Sequence, residues 1–552
     1  MLTTLARPKD QSKDALLWNA GPSLKAAPLR CKVLAMAASS ARAIADYPAA
    51  STRKWLIAGA LIFGSILVGL DMSIVNVALP YMQSSFHVGV DRISWVVTSY
   101  FAAVGIVLPL TGWIAVRVGR KRYLIVSVLT FVMASALCGL AGGIGEMVVF
   151  RILQGVAGAA MMPLSQAILL ETFPPEEHTL AMTTSGIGMM LAPVLGPTIG
   201  GWITLNWSWR WNFYINLPMG ALAAIMVYVF VHDPPYLKQQ RGRGRVDYVG
   251  IIFVVLALGL FQIVLGRGGL SGWFAAHWVR YASGASAAAM AVLIAHELRF
   301  PEPVIDFRIL KTFGFTLAVT LICIQSLVLF SVNLLNPLFL ETVLGYNAWR
   351  AGLAVAPRGI GVILALVTVG QLSRRRIDMR HIIGCGFLLA GWEVWHMAHW
   401  GIHATERQVL LPIFLFGLGL GAVFPTITAL GLGQIRRERM GFATSLFGMI
   451  INSGAATGIA IVSNALTSRH SFHQAQLGTY FAFLDACEKA GLTPAPAAVG
   501  SLPLQSSINS QSWLLAYHDI YKTLALLVVL LAPWCLLLKS ASGMRTAEAV
   551  FE

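Results

Sequence analysis

Asp71 lies within an apolar run that begins near residue 55 and continues as Leu70-Asp-Met-Ser-Ile-Val-Asn-Val-Ala-Leu-Pro80. If this run crosses a bilayer, an ionised carboxylate in it costs about 2.5–3.5 kcal/mol on insertion scales. An acid whose charge is that costly is suited to binding and releasing a proton as access alternates between the two sides. The plainer reading is a packing residue hydrogen-bonded to a neighbouring helix. Arg151 opens another apolar run and precedes Gln154 by three residues, so on a helix the guanidinium and the amide share a face. Arg151 either snorkels to the interface or turns inward towards an acid. A third set, Glu393, His396, His399 and His403, recurs at steps of three, three and four along one helical stripe. Imidazoles can relay protons or bind metals, but Trp392, Trp395 and Trp400 interleave with them, and that mixture reads as an interfacial aromatic belt.

These residues need elements to hold them, and composition says which. Of 552 residues, 57% are apolar and 12% charged, about half the roughly 25% charge of a soluble domain. So few charges cannot clothe several soluble domains, and a multi-pass membrane protein follows. A span needs roughly 20 apolar residues. Fourteen such runs lie near 55–79, 93–115, 122–142, 147–170, 180–203, 213–232, 248–266, 278–297, 314–340, 351–371, 381–400, 409–430, 441–464 and 514–538. The connections are short except for a polar, small-residue-rich stretch, 465–513, read as an extramembrane loop. Six scattered cysteines give neither a disulfide framework nor a zinc site.

With the N-terminus placed in the cytoplasm, most of the 40 Lys+Arg fall on the inner side: Arg53 and Lys54, Arg117 with Arg120 to Arg122, Lys238 with Arg241 to Arg245, Arg374 to Arg376 with Arg380, and Arg436, Arg437 and Arg439. An even number of spans returns the C-terminus to the cytoplasm. Topology thus accounts for the +16 formal charge and no nucleic-acid partner is needed. Residues 1–54 carry neither a span nor a signal peptide and read as a basic cytoplasmic tail, or as an over-long start with initiation near Met36.

Two inner loops are alike: Gly112-Trp-Ile-Ala-Val-Arg-Val-Gly-Arg-Lys-Arg122 after the second run and Gly370-Gln-Leu-Ser-Arg-Arg-Arg-Ile-Asp-Met-Arg380 after the tenth. They mark equivalent points of two halves. The expected organisation is an N-terminal six-helix bundle (55–232), two linker spans (233–312), a C-terminal six-helix bundle (313–540) and a cytoplasmic tail (541–552). Paired bundles around a midplane cavity are a secondary-transporter architecture.

Five strings in order carry a closer resemblance: Leu70 to Pro80, Gly112 to Arg122, Arg151-Ile-Leu-Gln-Gly-Val-Ala-Gly158, Gly196-Pro-Thr-Ile-Gly-Gly201, and Trp209-Arg-Trp-Asn-Phe-Tyr-Ile-Asn-Leu-Pro218. From about residue 55 to 540 the chain resembles the major facilitator superfamily, and within it the 14-span drug:proton antiporters of the EmrB/QacA type. The resemblance implies an all-α major facilitator fold with two extra central spans. It implies proton coupling at Asp71 and Arg151, and motif roles for Gln154, Gly155, Gly196, Pro197, Gly200 and Gly201, the last four favouring exchange over uptake. It also implies a cytoplasmic gate at Gly112, Arg117, Gly119, Arg120 and Lys121. The chain departs from the family pattern at Val116, where many members carry an acid, so its latch is weaker or built differently. In the thirteenth run Gly448 and Ile451 stand where members often show Asn and Arg.

For the substrate cavity the candidates are Gln325, Asn333, Asn336 and Glu341 in the ninth run, with Asn336-Pro337 as a helix break. Glu341 would suit a cationic ligand, or else is simply solvated near the span end. No G-x-x-x-x-G-K-[ST] string occurs, so coupling to ATP hydrolysis is not expected. The expected function is a proton-coupled efflux antiporter of the inner membrane, not an enzyme, without cofactor, handling small lipophilic or cationic compounds. The alternatives are an inner-membrane subunit of a multi-component conduit with a periplasmic adaptor protein, or an exporter of one metabolite.

Overall fold

In hydrocarbon a long apolar run can satisfy its backbone only as a helix or within a closed barrel, and this chain is helical throughout its described part. The computed structural model describes residues 51–174, 177–233, 247–301, 303–374, 378–436, 439–489 and 501–538. Residues 1–50 of the basic tail, the 541–552 tail, and the basic residues Lys238, Arg241, Arg243, Arg245, Arg375, Arg376 and Arg437 lie outside them.

Leaving aside short turns, the helices are α1 (Ser51–Phe86), α2 (Trp95–Val107), α3 (Thr111–Val118), α4 (Arg120–Leu140), α5 (Ile144–Gly158), α6 (Met161–Thr172), α7 (His178–Asn206) and α8 (Asn216–Phe230). They continue as α9 (Tyr248–Arg267), α10 (His277–Glu297), α11 (Phe313–Thr342), α12 (Ala348–Val355), α13 (Pro357–Arg374), α14 (Met379–Met397), α15 (Glu406–Leu432), α16 (Met440–Lys489) and α17 (Ser501–Leu531). All fourteen apolar runs lie on helices. Twelve stretches of the described residues are long and apolar enough to cross a membrane. The fifth and eleventh runs fall on α7 and α14, and in α14 the polar Arg380, His381, Glu393 and His396 dilute the apolar character.

The surface pattern inverts that of a soluble protein. Leu140, Leu205 and Tyr281 are 69%, 73% and 75% exposed, while Asp71, Arg151, Gln154 and Asn216 are buried. Large apolar side chains facing outward around a polar interior are the signature of a chain solvated by lipid. In the first half α5 packs against α2 and α4, and α4 against α8; in the second, α15 packs against α13 and α14, α11 against α16, and α14 against α17. Helices α9 and α10 pair with each other, and α9 also leans on α2 and α16, beside the seam between the halves. Gly105 of α2 permits that approach, since a Cβ there would sit 2.9 Å from Gln262 Nε2.

Across the seam, α3 and α6 meet α16, and α7 meets α13 and α15. The contacts use small residues near the basic-loop ends of the helices. A Cβ on Gly112 would lie 2.6 Å from Gly441 O, and one on Gly448 2.6 Å from Leu108 Cδ2. The Thr111 and Ser445 hydroxyls are 2.6 Å apart. Gly186 faces Leu366, and Gly370 faces Leu180.

The stretch 465–513 differs from the irregular loop expected. Helix α16 is 50 residues long and runs through it to Lys489, and α17 starts at Ser501, with 490–500 outside the described residues. His470 stacks on Trp513 at 3.8 Å between centroids and His473 bonds Asp519 at 3.0 Å, so side chains tie the two helices together. Polarity misled here: Ala, Gln, His and Phe at helical spacing support a solvated helix as well as a loop.

Candidate functional site

Two helices, α5 and α8, supply the groups that bond Asp71 of α1. Arg151 Nη1 on α5 donates to its Oδ2 at 2.7 Å, Gln154 Nε2 donates to its Oδ1 at 2.8 Å, and Asn216 Nδ2 on α8 donates to the same Oδ1 at 2.9 Å. The three-residue step from Arg151 to Gln154 puts both on one face, as the spacing requires, and Arg151 Nη1 also donates to Gln154 Oε1 at 2.7 Å. Arg151 is further fixed by donating from Nε to Val96 O at 3.1 Å, and its guanidinium lies 4.3 Å from the centre of the Tyr100 ring on α2. Ser135 on α4 closes the network, accepting from Asn216 Nδ2 at 2.9 Å and donating to Phe213 O at 2.9 Å.

Asp71 and Arg151 are 0% and 1% exposed. Taking both charges out of water is costly, and the pair persists because each carboxylate oxygen and most of the guanidinium edge are bonded. A proton added to Asp71 would remove the negative charge that neutralises Arg151. The arrangement is a single buried charge pair whose state one proton changes.

Glycines bring these helices close enough. A Cβ on Gly155 would lie 2.6 Å from Tyr100 O, and one on Gly158 3.0 Å from Tyr100 Oη, so α5 presses on α2 and seats the ring over Arg151. Of the Gly196 to Gly201 string, Gly196 rests on Ser73 and Gly200 on Ile74, directly beside Asp71 on α1. Gly201 is half-buried on α7, and the Pro197 side chain lies outside the described residues.

The basic loop is built around Gly119, whose φ of +96° is a conformation that glycine adopts without strain. Arg120 is buried and forms an ion pair with Glu171 at the end of α6. The acid beside the loop's arginine thus comes from another helix, not from position 116. Arg117 lies 4.4 Å over the Trp113 ring. Lys121 donates from its backbone N–H to Asp233 Oδ1 at 2.8 Å and from Nζ to Tyr228 O at 2.5 Å.

The four residues assigned to one substrate cavity do not converge. Gln325 is buried and donates to Leu420 O on α15 at 3.3 Å; Asn336 is buried and accepts from Tyr521 Oη on α17 at 2.7 Å. Asn333 accepts from Arg358 on α13, and Glu341 is exposed in the last turn of α11. Their spacing along α11 points them at three different neighbours. The break expected at Asn336-Pro337 does not interrupt α11, which is assigned helical through Pro337. The expected helical stripe is broken: α14 ends at Met397 and carries only the buried Glu393 and the exposed His396, while His399 and His403 lie in the turns that follow, exposed like Trp392 and Trp395. Among the described residues no group of three or more His, Cys, Asp or Glu is placed to hold a metal.

Sequence reasoning missed Tyr100, Asn216 and Arg358. Asn216 sat in view within the Trp209 to Pro218 string; its role depends on a contact 145 residues away.

Comparison with known proteins finds a match to the family model described as Major Facilitator Superfamily over residues 61–459. The multidrug export protein EmrB of Escherichia coli K12 is 30% identical over 423 residues, covering 76% of this chain and 81% of that one. The fatty acid resistance protein FarB of Neisseria gonorrhoeae is 29% identical over 500 residues, covering 88% and 97%. Among solved structures, the human organic anion transporter MFSD10 superposes with a TM-score of 0.57 at 12% identity, covering 86% of this chain and 99% of that one, which is a likeness of fold.

Proposed function

Because this chain belongs to the Major Facilitator Superfamily, in the branch of the multidrug exporter EmrB, we propose that it is a proton-coupled efflux antiporter for small lipophilic compounds, seated in the inner membrane with both termini in the cytoplasm. The observation that carries this reading is the buried Arg151–Asp71 pair, 2.7 Å between Nη1 and Oδ2, with Gln154 and Asn216 completing the carboxylate's bonds. An isolated charge is costly in the membrane interior, and a proton reaching Asp71 leaves Arg151 as one. The bundle then lowers its energy by rearranging, which is how protonation does mechanical work. With the halves joined at Gly112 and Gly441 and at Thr111 and Ser445, on the side of the basic loops, the state described here is closed to the cytoplasm. Protonation from outside followed by reopening inward, proton release and substrate uptake completes the exchange.

The test is Asp71→Asn in inside-out vesicles. The variant should insert and fold, and substrate-stimulated proton release should vanish. Release at the level of the unaltered protein would remove Asp71 from the coupling.

The names of the relatives, multidrug export for EmrB and fatty acid resistance for FarB, support a toxic-compound substrate. A helical extension of α16 and α17 supports a second element of the reading, contact with a periplasmic adaptor protein. Co-purification of such a partner, lost when 470–512 is replaced by a short linker, tests it.

A further inference from the structure

Arg358 is a second arginine inside a span, and unlike Arg151 it pairs with no acid among the described residues. It lies in the apolar stretch Arg350–Ser373, one residue after Pro357 at the start of α13. Its depth can be gauged twice. Arg358 lies eight residues from Arg350, where its apolar stretch begins, and its partner Asn333 nine residues from the end of α11 at Thr342; at 1.5 Å per residue the pair sits about 12–14 Å from these outer ends. That is beyond easy snorkelling. The stem is also held, because α13 and α15 meet backbone to backbone: a Cβ on Gly417 would lie 2.9 Å from Arg358 Cγ, and one on Gly421 2.8 Å from Val362 Cα.

The guanidinium Nη1 donates to Asn333 Oδ1 on α11, and among the described residues no carboxylate lies within ion-pair distance of it. Guanidinium has five N–H donors, and this bond uses one. The Nε and Nη2 edge, the fork that grips a carboxylate with two parallel bonds, makes no bond among the described residues. Arg358 and Asn333 are both half-buried, and neither Nε nor Nη2 of Arg358 is among the fully buried unbonded nitrogens, so the edge is reachable. A fixed, uncompensated cation in a low-dielectric interior attracts an anion and repels a cation.

Resting on the efflux reading above, we propose that Arg358, oriented by Asn333, is the recognition residue for the carboxylate of an anionic amphiphile, so that the transporter selects lipophilic carboxylates over cations of equal chain length. The acyl tail would lie along the apolar walls while the head sits on the guanidinium.

The test uses inside-out vesicles carrying the full chain, with decanoate and decyltrimethylammonium as probes and probe-stimulated proton release as the readout. The unaltered protein should favour decanoate, and Arg358→Gln should lower the decanoate-to-decyltrimethylammonium ratio at least tenfold. Arg358→Lys, which keeps the charge and loses the fork, should lower it less. Asn333→Asp supplies an internal carboxylate to Arg358. It should therefore mimic a bound head group, cutting the ratio by a similar factor while raising the melting temperature, and it decides the matter should Arg358→Gln fail to fold. A ratio unchanged in Asn333→Asp, or cation exchange without decanoate exchange in the unaltered protein, overturns the carboxylate site and leaves the exporter standing. Uptake of radiolabelled decanoate, followed in the same vesicles, without proton release preserves the site and removes the coupling.

Discussion

Arg151 shows why a charge in a membrane interior must be read with all its bonds. Its guanidinium reaches Asp71, Gln154 and Val96 O while lying against Tyr100, a planar multi-contact role that an ammonium cannot fill. Arg151→Lys keeps the charge and should lower substrate-driven proton release at least tenfold in vesicles with the amount of folded protein unchanged; a smaller loss would mean that charge alone suffices. Asn216→Leu removes one donor from Asp71 and one from Ser135, and leaving buried polar atoms unbonded costs about 1–3 kcal/mol each. A lowered melting temperature in detergent measures it. Asp71 and Arg151 were legible in the sequence because charges inside apolar runs are scarce. Asn216 and Tyr100 were not, since amides and tyrosines are ordinary in spans and only the packing of α8 and α2 assigns them to the carboxylate. Arg358 lies inside the 351–371 run, as exposed to notice as Arg151, but no motif frames it and its partner Asn333 is on another helix, so the sequence reading passed over it.

At the scale of elements, the glycines decide which helices may touch. Gly112 lies against the Gly441 backbone, with Thr111 and Ser445 one bond apart beside it, so α3 and α16 join the two halves through atoms without side chains to spare. Gly112→Val would force these backbones apart, and labelling of a cysteine placed on α3 by a membrane-impermeant thiol reagent from the cytoplasmic side should rise. Conversely, Thr111→Cys with Ser445→Cys should form a disulfide under oxidation that abolishes transport, with activity returning on reduction; transport that survives the crosslink would show that this seam does not open. The basic loop was legible as a motif, down to the glycine at 119. What the motif could not reveal is which acid stands beside its arginine, because Glu171 lies 51 residues beyond Arg120 and they meet only once α6 packs beside α4.

For the whole molecule, fourteen apolar runs became helices where they were expected, because helix formation in hydrocarbon is enforced by the backbone and needs no tertiary information. The stretch 465–513 was harder to read for the opposite reason: outside hydrocarbon the backbone can bond water, and here α16 and α17 run into the stretch with His470 stacked on Trp513 and His473 bonded to Asp519 between them. Among the cysteines, Cys138, Cys323, Cys385 and Cys535 are unpaired thiols.

Helix α16 is one uninterrupted rod of 50 residues, about 75 Å long, with Gly441, Ser445 and Gly448 gripping the first half at one end and Lys489 at the other. A rod transmits angle. Releasing the Gly441 end must swing the far tip, and a 5° tilt about its centre moves each end by about 3 Å. If this seam is the inner gate, as proposed, its state would be legible from the opposite face of the membrane, and a partner clasping the tip would feel each turnover as a displacement. Spin labels at Thr479 and Asn509 on the paired helices, measured against a label on the outer end of α7, should shift together when the inner gate opens.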